Sequence, residues 1–380
     1  MFGLKISIIT LHAVKNYGSV LQTFATQELF KLYGCDVEVI NFIREDTRDE
    51  NLIFYWCRNN IIKRIVIFPT IIRWKKVFNS FLKKYINLSS VIYTTDEDFR
   101  SFPLTADAYC TGSDQVWNSK WNQGIILPLY LSFVPEDKFK FSFASSFGSD
   151  ELSDEEVLAT KKFIYQYNFI SVRENSGKTV IEKQYGYPEA THLVDPTLVM
   201  TSDFWRKYAT PRKVNDDYIL VYNLNRNKDF DTYAIKLAKI TGLKLVRFCT
   251  RYDQFYRPGK SMLIPEVFDF VSLIDNAKYV LTDSFHAAAF SMNMNTEPIC
   301  VYPKEFGGRI ESFLTLTQSL QRHISDFNDF DVLNRPVNFE KVNRILDGER
   351  EKAYNYINKV LAEIKCQKGK VDFEEINNAN

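Results

Sequence analysis

The chain has 380 residues, enough at about 100 to 200 residues per domain for two or three domains with sizeable cores. Hydrophobic residues at 45% and charged residues at 25% exclude wholesale disorder and fibrous architectures. Lys+Arg 48 against Asp+Glu 47 gives a formal net charge of +1, so no global positive field draws the chain to nucleic acid.

From the N-terminus, residues 1–10 hold one lysine in a short β-rich run, without the apolar region and cleavage site of a signal peptide. No stretch reaches the about 18 uninterrupted apolar residues that span a bilayer, and the expected location is cytoplasmic. Residues 4–10 and 36–42 read as buried strands. Between them Leu21, Ala25, Leu29 and Leu32 share one helical face, and Gly34 stops a helix expected over 19–33. Between Glu50 and Asp96 there is no acidic residue, while Arg58, Lys63, Arg64, Arg73, Lys75, Lys76, Lys83 and Lys84 alternate with apolar residues and Trp74. A basic helical insertion over about 53–92 would lie on an anionic membrane or grip a phosphorylated lipid; alternatively, its lysines are simply solvated.

Further apolar runs at 106–111, 140–145 and 169–172, with a helical pattern at 154–165, predict a mostly parallel sheet. A polar stretch around 203–217 containing Pro211 marks a boundary, after which strands at 218–222, 243–248 and 279–282 alternate with helices at 229–240, 265–276 and 285–292. The expected fold is therefore α/β, with two Rossmann-like domains, 1–205 and 206–335, facing a cleft that takes substrate. Residues 336–380 form a C-terminal segment, with an amphipathic helix over 343–364 and a last dozen residues that fray.

Several chemistries lack their motif: there is no G-x-G-x-x-G, Walker lysine, G-x-S-x-G or H-E-x-x-H. The six cysteines, Cys35, Cys57, Cys110, Cys249, Cys300 and Cys366, form no C-x-x-C pair or short Cys/His spacing, which argues against a metal site and for a reducing compartment. Asp229-Phe230-Asp231 matches a D-x-D pattern but opens a helix, where carboxylates serve as caps. In Thr282-Asp283-Ser284-Phe285-His286 the histidine falls in the first turn of a helix at a sheet edge. A bound anion there would raise its pKa and fit it for general acid work; the alternative is a core or capping histidine. The loop from His12 through Asn16, Tyr17, Gly18 and Ser19 offers hydrogen bonds at a helix N-terminus, with Gly18 allowing close approach of backbone to ligand. Thr111-Gly112-Ser113-Asp114-Gln115-Val116-Trp117-Asn118 suits a sugar, or is a capped turn. Arg173 and Arg309 are either anion clamps or surface ion pairs. His192 and His323 have no partner pattern and read as structural.

In this order the pieces resemble the polysaccharide pyruvyl transferase family. Matching segments are Asn16-Tyr17-Gly18-Ser19-Val20-Leu21-Gln22, residues 111–118, Ser171-Val172-Arg173-Glu174, Val194-Asp195-Pro196-Thr197 and residues 282–286, and the resemblance spans roughly residues 5 to 320. It implies a GT-B-like fold and transfer of pyruvate from phosphoenolpyruvate onto two hydroxyls of a sugar, in a polysaccharide or lipid-linked oligosaccharide, forming a cyclic ketal. That chemistry requires no cofactor, metal or nucleotide donor. Where well-studied members carry an arginine and a leucine before the histidine, this chain has Ser284 and Phe285. The implied donor side is Ser284, Phe285, His286, Arg309 and Arg173, with Arg309 or Arg173 replacing the missing charge. His286 is the implied acid/base and Asp114 the acceptor-side base. Asn16, Tyr17, Gly18, His12, Asp114 and Gln115 make up the acceptor side. The alternatives are a GT-B glycosyltransferase using a nucleotide-sugar and a non-catalytic ligand-binding relative. A lipid-linked acceptor would place the work at the inner membrane face, through the stretch from Arg58 to Lys84.

Overall fold

Strands β1 (Lys5–Ile9), β2 (Asp36–Phe42), β3 (Leu88–Tyr93), β4 (Ala108–Thr111) and β5 (Phe139–Ser142) form a parallel sheet in the order β3-β2-β1-β4-β5. Two short strands, β6 (Ser171–Val172) and β7 (Thr191–His192), extend it beyond β5, where Ser142 N donates to Phe169 O at 3.0 Å and Arg173 N to Ser145 O at 2.9 Å. The second half repeats the pattern. Its strands β8 (Tyr218–Tyr222), β9 (Lys244–Cys249), β10 (Lys260–Leu263), β11 (Tyr279–Thr282) and β12 (Glu297–Cys300) take the parallel order β10-β9-β8-β11-β12. The computed structural model describes residues 3–58, 60–225, 227–304 and 307–378.

Both sheets are covered by helices on each face, so the central strands are apolar along their whole length rather than alternating; every residue of β8 is buried. The strand order reverses between β1 and β4 and again between β8 and β11. Crevices open at such switch points, beyond the carboxyl ends of the strands. The segments after β1, β4, β11 and β12 therefore converge, and they carry the candidate residues.

The halves are welded by aromatics. Helix Tyr17–Leu32 sends Phe24 into rings from both halves, Phe81, Trp205, Tyr208 and Phe268 among them. Tyr17 is boxed by Phe78, Phe248 and Phe270, with centroids 4.7 to 5.9 Å away, and its hydroxyl donates to Pro265 O at 2.7 Å. The last helix, Phe339–Asn378, returns to the first half: Tyr356 donates to Ser142 O at 2.8 Å, and Arg350 bridges Leu198 O and Asn293 Oδ1.

Three expectations change. The helical insertion stops short of residue 92, because Leu88–Tyr93 pairs with β2 as an edge strand. The C-terminal helix extends well past both ends of 343–364 and runs on to Asn378; the side chains of most of the last dozen residues lie outside the described ones. At the D-x-D segment, Asn227 is the cap of helix Lys228–Thr241, and Asp231 pairs with the buried Arg247. The strand β10 was not expected as a separate element, because it is half exposed and lacks apolar periodicity; β12 runs through Pro298 to the buried Cys300.

Two stability experiments follow from these contacts. Tyr17→Phe strands the Pro265 carbonyl without its donor and is expected to lower the unfolding free energy by about 1 to 2 kcal/mol, read from urea midpoints. His12 is buried with Nε2 3.3 Å from Asn41 Oδ1, and burial pushes its pKa down to about 4. The unfolded chain binds a proton below about 6.5 that the folded chain refuses. Its contribution is thus complete above pH 6.5 and is lost as pH falls toward 4. The unfolding free energy from urea titrations should fall by about 2 kcal/mol for this group between pH 7.5 and pH 5, and His12→Gln should flatten that slope.

Candidate active site in the cleft

The first domain supplies two loops. Asn16 caps helix Tyr17–Leu32, its Oδ1 accepting from Gly18 N at 2.8 Å and Ser19 N at 3.3 Å. After β4 the chain turns sharply at Asp114, whose φ of 77° is left-handed; its carbonyl accepts from Val116 N and Ser146 N. That turn buries the Asp114 carboxylate, which accepts the Ser19 hydroxyl at 2.6 Å and Gln115 N at 2.8 Å. Gln115 Oε1 is taken by Asn118 Nδ2 at 2.7 Å.

The second domain supplies the strand end of β11 and the helix that follows. Asp283 accepts from Leu224 N, Asn225 N, Asn225 Nδ2 and Asn223 Nδ2 at 2.7 to 3.1 Å, which locks the β8 loop to the end of β11. Burial pushes its pKa up despite these bonds. Ser284 caps helix Phe285–Asn293, and His286 sits in its first turn against Gly18. A Cβ on Gly18 would stand 2.1 Å from His286 Nδ1. Gly18 therefore admits an imidazole from the facing domain, where the sequence suggested a ligand.

Around His286 the charges are buried and ordered. Arg173 donates to Asp195 Oδ2 at 2.9 Å and to Glu174 Oε1 at 3.0 Å, lies 3.9 Å from Asp114 Oδ1, and has its guanidinium 5.0 Å from the Phe285 ring centroid. Asp195 also accepts from the Ser113 hydroxyl and from Thr197 N and Oγ1. His286 Nε2 is 3.8 Å from Asp195 Oδ2, beyond hydrogen-bond distance. Among the described residues, His286 Nε2, Arg173 Nη2, Arg309 Nε and Glu174 Oε2 are buried without a hydrogen-bond partner.

The electrostatics follow. Burial lowers the pKa of His286; the carboxylates of Asp195 and Asp114 oppose that, while Arg173 and Arg309 reinforce it, so the imidazole is neutral at pH 7. Burial would raise Asp114, but Arg173, His286 and the Ser19 hydroxyl outweigh it and hold the carboxyl below the ordinary range. Asp195 is likewise held down, against burial, by His286 and Arg173. Burial beside Arg173 brings Arg309 down to about 10, which still leaves it charged.

A cavity of about 320 Å³ opens onto this group, lined by Asn16, Ser19, Asp114, Gln115, Ser284, Phe285, His286 and Arg309, with Trp121 and Leu224 at its sides. Arg309, on helix Gly308–Leu316, also borders a second cavity of about 390 Å³ with Glu174, Ser176 and Lys304. Two helix N-termini, at Asn16 and Ser284, thus border the first cavity, where backbone N–H groups and dipoles favour an anion, and a third, at Gly307, borders the second.

The structure brings together Asn16, Gly18, Asp114, Gln115, Arg173, Ser284, Phe285, His286 and Arg309. It places Tyr17 in the aromatic seam between domains, with its hydroxyl committed to Pro265 O. His12 lines a separate cavity of about 600 Å³ with Lys15, Asn41 and Asp49, on the other side of its loop. His192 Nε2 donates to Arg173 O, and His323 stacks on Tyr302. Asp195, Glu174, Asp283 and Trp121 have no role in the sequence-based assignment above. Glu174 stands next to Arg173 in its segment, Asp195 in Val194–Thr197 and Asp283 in the segment of His286; nothing in the spacing of Trp121 marks it.

A candidate UDP-N-acetylglucosamine 2-epimerase from Listeria monocytogenes is similar in structure, at 12% identity and a TM-score of 0.53, over 96% of each chain. UDP-GlcNAc 2-epimerase from Neisseria meningitidis bound to UDP-GlcNAc gives 0.47 at 11% identity, over 94% of this chain and 99% of that one. An alpha-glucosyltransferase in complex with UDP-glucose and DNA gives 0.45 at 12%, over 98% and 99%. At such identities the Listeria likeness speaks to the fold alone, which is the two-domain GT-B arrangement. No curated protein matches the chain. Residues 16–305, however, which hold every side chain of the His286 cluster except Arg309, match the profile of polysaccharide pyruvyl transferases, and the chain belongs to that transferase family.

Proposed function

We propose that the cleft moves the pyruvyl group of phosphoenolpyruvate onto two hydroxyls of a sugar in a polysaccharide or lipid-linked oligosaccharide, closing a cyclic ketal and releasing phosphate. Family membership supplies pyruvyl transfer in general terms; donor, ketal and acceptor are this reading's own. The observation that carries it is the set of buried nitrogens without a partner, His286 Nε2, Arg173 Nη2 and Arg309 Nε, beside a cavity that two helix N-termini border. A small molecule bearing both phosphate and carboxylate suits such a set. Ser284 then serves as a helix cap, and Arg309 and Arg173 carry the positive charge.

The proton steps fall to His286. An anion bound beside it raises its proton affinity against the effect of burial. The imidazolium gives its proton to the methylene carbon of the donor, using the enol π pair, and the neighbouring carbon becomes electron-poor. The first sugar hydroxyl adds there and its proton returns to the imidazole. The bond from that carbon to the phosphate oxygen breaks, phosphate leaves with the pair, and the second hydroxyl closes the ketal, its proton leaving with phosphate. Asp114 is too firmly ionised to take up protons readily. It acts as a fixed charge that favours the imidazolium, holding Ser19 in place.

For the acceptor, Trp121 is the natural platform. The Arg44 guanidinium covers one side of its ring at 4.8 Å, and the indole borders the cavity, where the apolar face of a sugar can stack. The reading sets the reaction in the cytoplasm, and with a lipid-linked acceptor at the inner membrane face through residues 58–84.

Calorimetry with phosphoenolpyruvate and with UDP-sugars tests the donor directly; binding of a UDP-sugar alone would overturn the reaction. His286→Ala should lower turnover by about 10² to 10⁴ with the fold intact. Arg309→Ala should weaken phosphoenolpyruvate binding by about 10- to 100-fold, the loss of a charged hydrogen bond. Trp121→Ala should raise KM for the acceptor and leave donor affinity unchanged, with Trp121→Phe restoring most of the loss.

A further inference from the structure

Helix Ile61–Trp74 is apolar around most of its circumference. Ile67, Thr70, Ile71 and Trp74 are buried against the protein, while on the opposite side Ile61, Ile62, Ile65, Val66, Phe68 and Ile72 face solvent at 50 to 74% exposure. Phe54 and Trp56 of the preceding helix, Leu52–Cys57, add two exposed aromatics. A helix apolar all round belongs inside a core or a membrane, and contiguous exposed apolar patches mark interaction sites. This one is held rigidly: Trp74 Nε1 donates to Thr250 O at 2.7 Å, and Tyr252 N to Thr70 Oγ1 at 3.0 Å.

Within this segment the charge is of one sign. Arg58, Lys63, Lys76, Lys83 and Lys84 are exposed, and residues 51–95 contain no carboxylate. Among the described residues, the carboxylate paired with a cation of this segment is Glu266, 2.9 Å from Arg73. We propose that this face seats on the surface of an anionic bilayer, its isoleucines and Phe68 at the headgroup–acyl boundary and its lysines and arginines on lipid phosphates. A second copy of the chain fits poorly, since two-fold pairing through this face would set the segment's cations against their own copies, and the segment has no carboxylate of its own to offset them. The inference deepens the membrane contact included in the reading above, but it rests on the surface alone and not on the reaction assigned to the cleft.

Sedimentation of the full chain with vesicles tests it. Binding is expected to vesicles of phosphatidylcholine with phosphatidylglycerol, to fall steeply with added salt, and to be weak on phosphatidylcholine alone. Ile62→Asp with Ile65→Asp should reduce partitioning at least about tenfold. Both positions are solvent-facing, so the thermal midpoint and phosphoenolpyruvate calorimetry should stay unchanged. No binding to anionic vesicles at low salt, or equal binding to both vesicle types, would overturn the proposal. So would a concentration-dependent dimer abolished by the same double variant, which would assign the face to a second copy. For the unaltered chain, absence of vesicle binding with phosphoenolpyruvate binding intact refutes the surface and leaves the reaction standing; vesicle binding without phosphoenolpyruvate binding refutes the reaction alone.

Discussion

The cleft depends on the buried pairing of Arg173 with Asp195. Taking two charges out of water costs several kcal/mol per ion unless other hydrogen bonds satisfy them, and removing one partner of such a pair costs about 3 to 5 kcal/mol. Here the satisfaction is nearly complete: Asp195 accepts from Ser113 and twice from Thr197 besides Arg173, and Arg173 also reaches Glu174. These bonds tie the end of β6, the segment after β7 and the loop after β4 to one point. That point faces His286 from across the domain boundary. A flexible surface arginine would not hold the imidazole's surroundings fixed, whereas this one cannot move without leaving a carboxylate bare.

The second constraint is the absence of a side chain at Gly18. The first helix of one domain and the helix after β11 of the other meet end to end, and any Cβ at Gly18 would overlap the imidazole. The close approach is what brings two helix N-termini to the same cavity. The aromatic seam behind it, Tyr17 and Phe24 with rings from both halves, keeps that approach from being a transient of domain motion. A continuous apolar interface of this kind resists hinge opening more than the usual polar contact between domains.

What the sequence disclosed follows from locality. Residues 218–222 and 279–282 read as strands because full burial makes them apolar without a break, and His286 could be placed on the first turn of a helix because Phe285, Ala288, Ala289 and Met292 recur at helical spacing. Asn16 and Asp114 were visible as turn residues for the same reason. Contacts between domains leave no such local trace. Gly18 looked like room for a ligand, Tyr17 like a substrate contact, and His12 like a neighbour of Asn16, because nothing in the order of residues says which side of a loop a side chain takes. Asp195 stood in plain sight beside a proline, but its partner Arg173 is twenty-two residues away and only the pairing of β6 with β7 joins them. Leu88–Tyr93 was hidden by the basic, apolar run that precedes it.

The charge count of the cluster bears on how a proposed anionic donor and an acid can share one pocket. With His286 neutral, two guanidinium groups face the carboxylates of Asp114, Asp195 and Glu174, so the cluster is one positive charge short of neutrality. The site is therefore poised to take up a proton, and burial is what prevents it. An anion entering between Arg309, Arg173 and the helix N-termini adds to the deficit, and its negative charge favours the imidazolium against the desolvation that burial imposes. On the reading proposed for the cleft, binding the donor and loading the acid become a single event. The residue that must give up a proton then holds one when there is something to receive it, and Asp114, firmly ionised, can keep that state stable without competing for the proton.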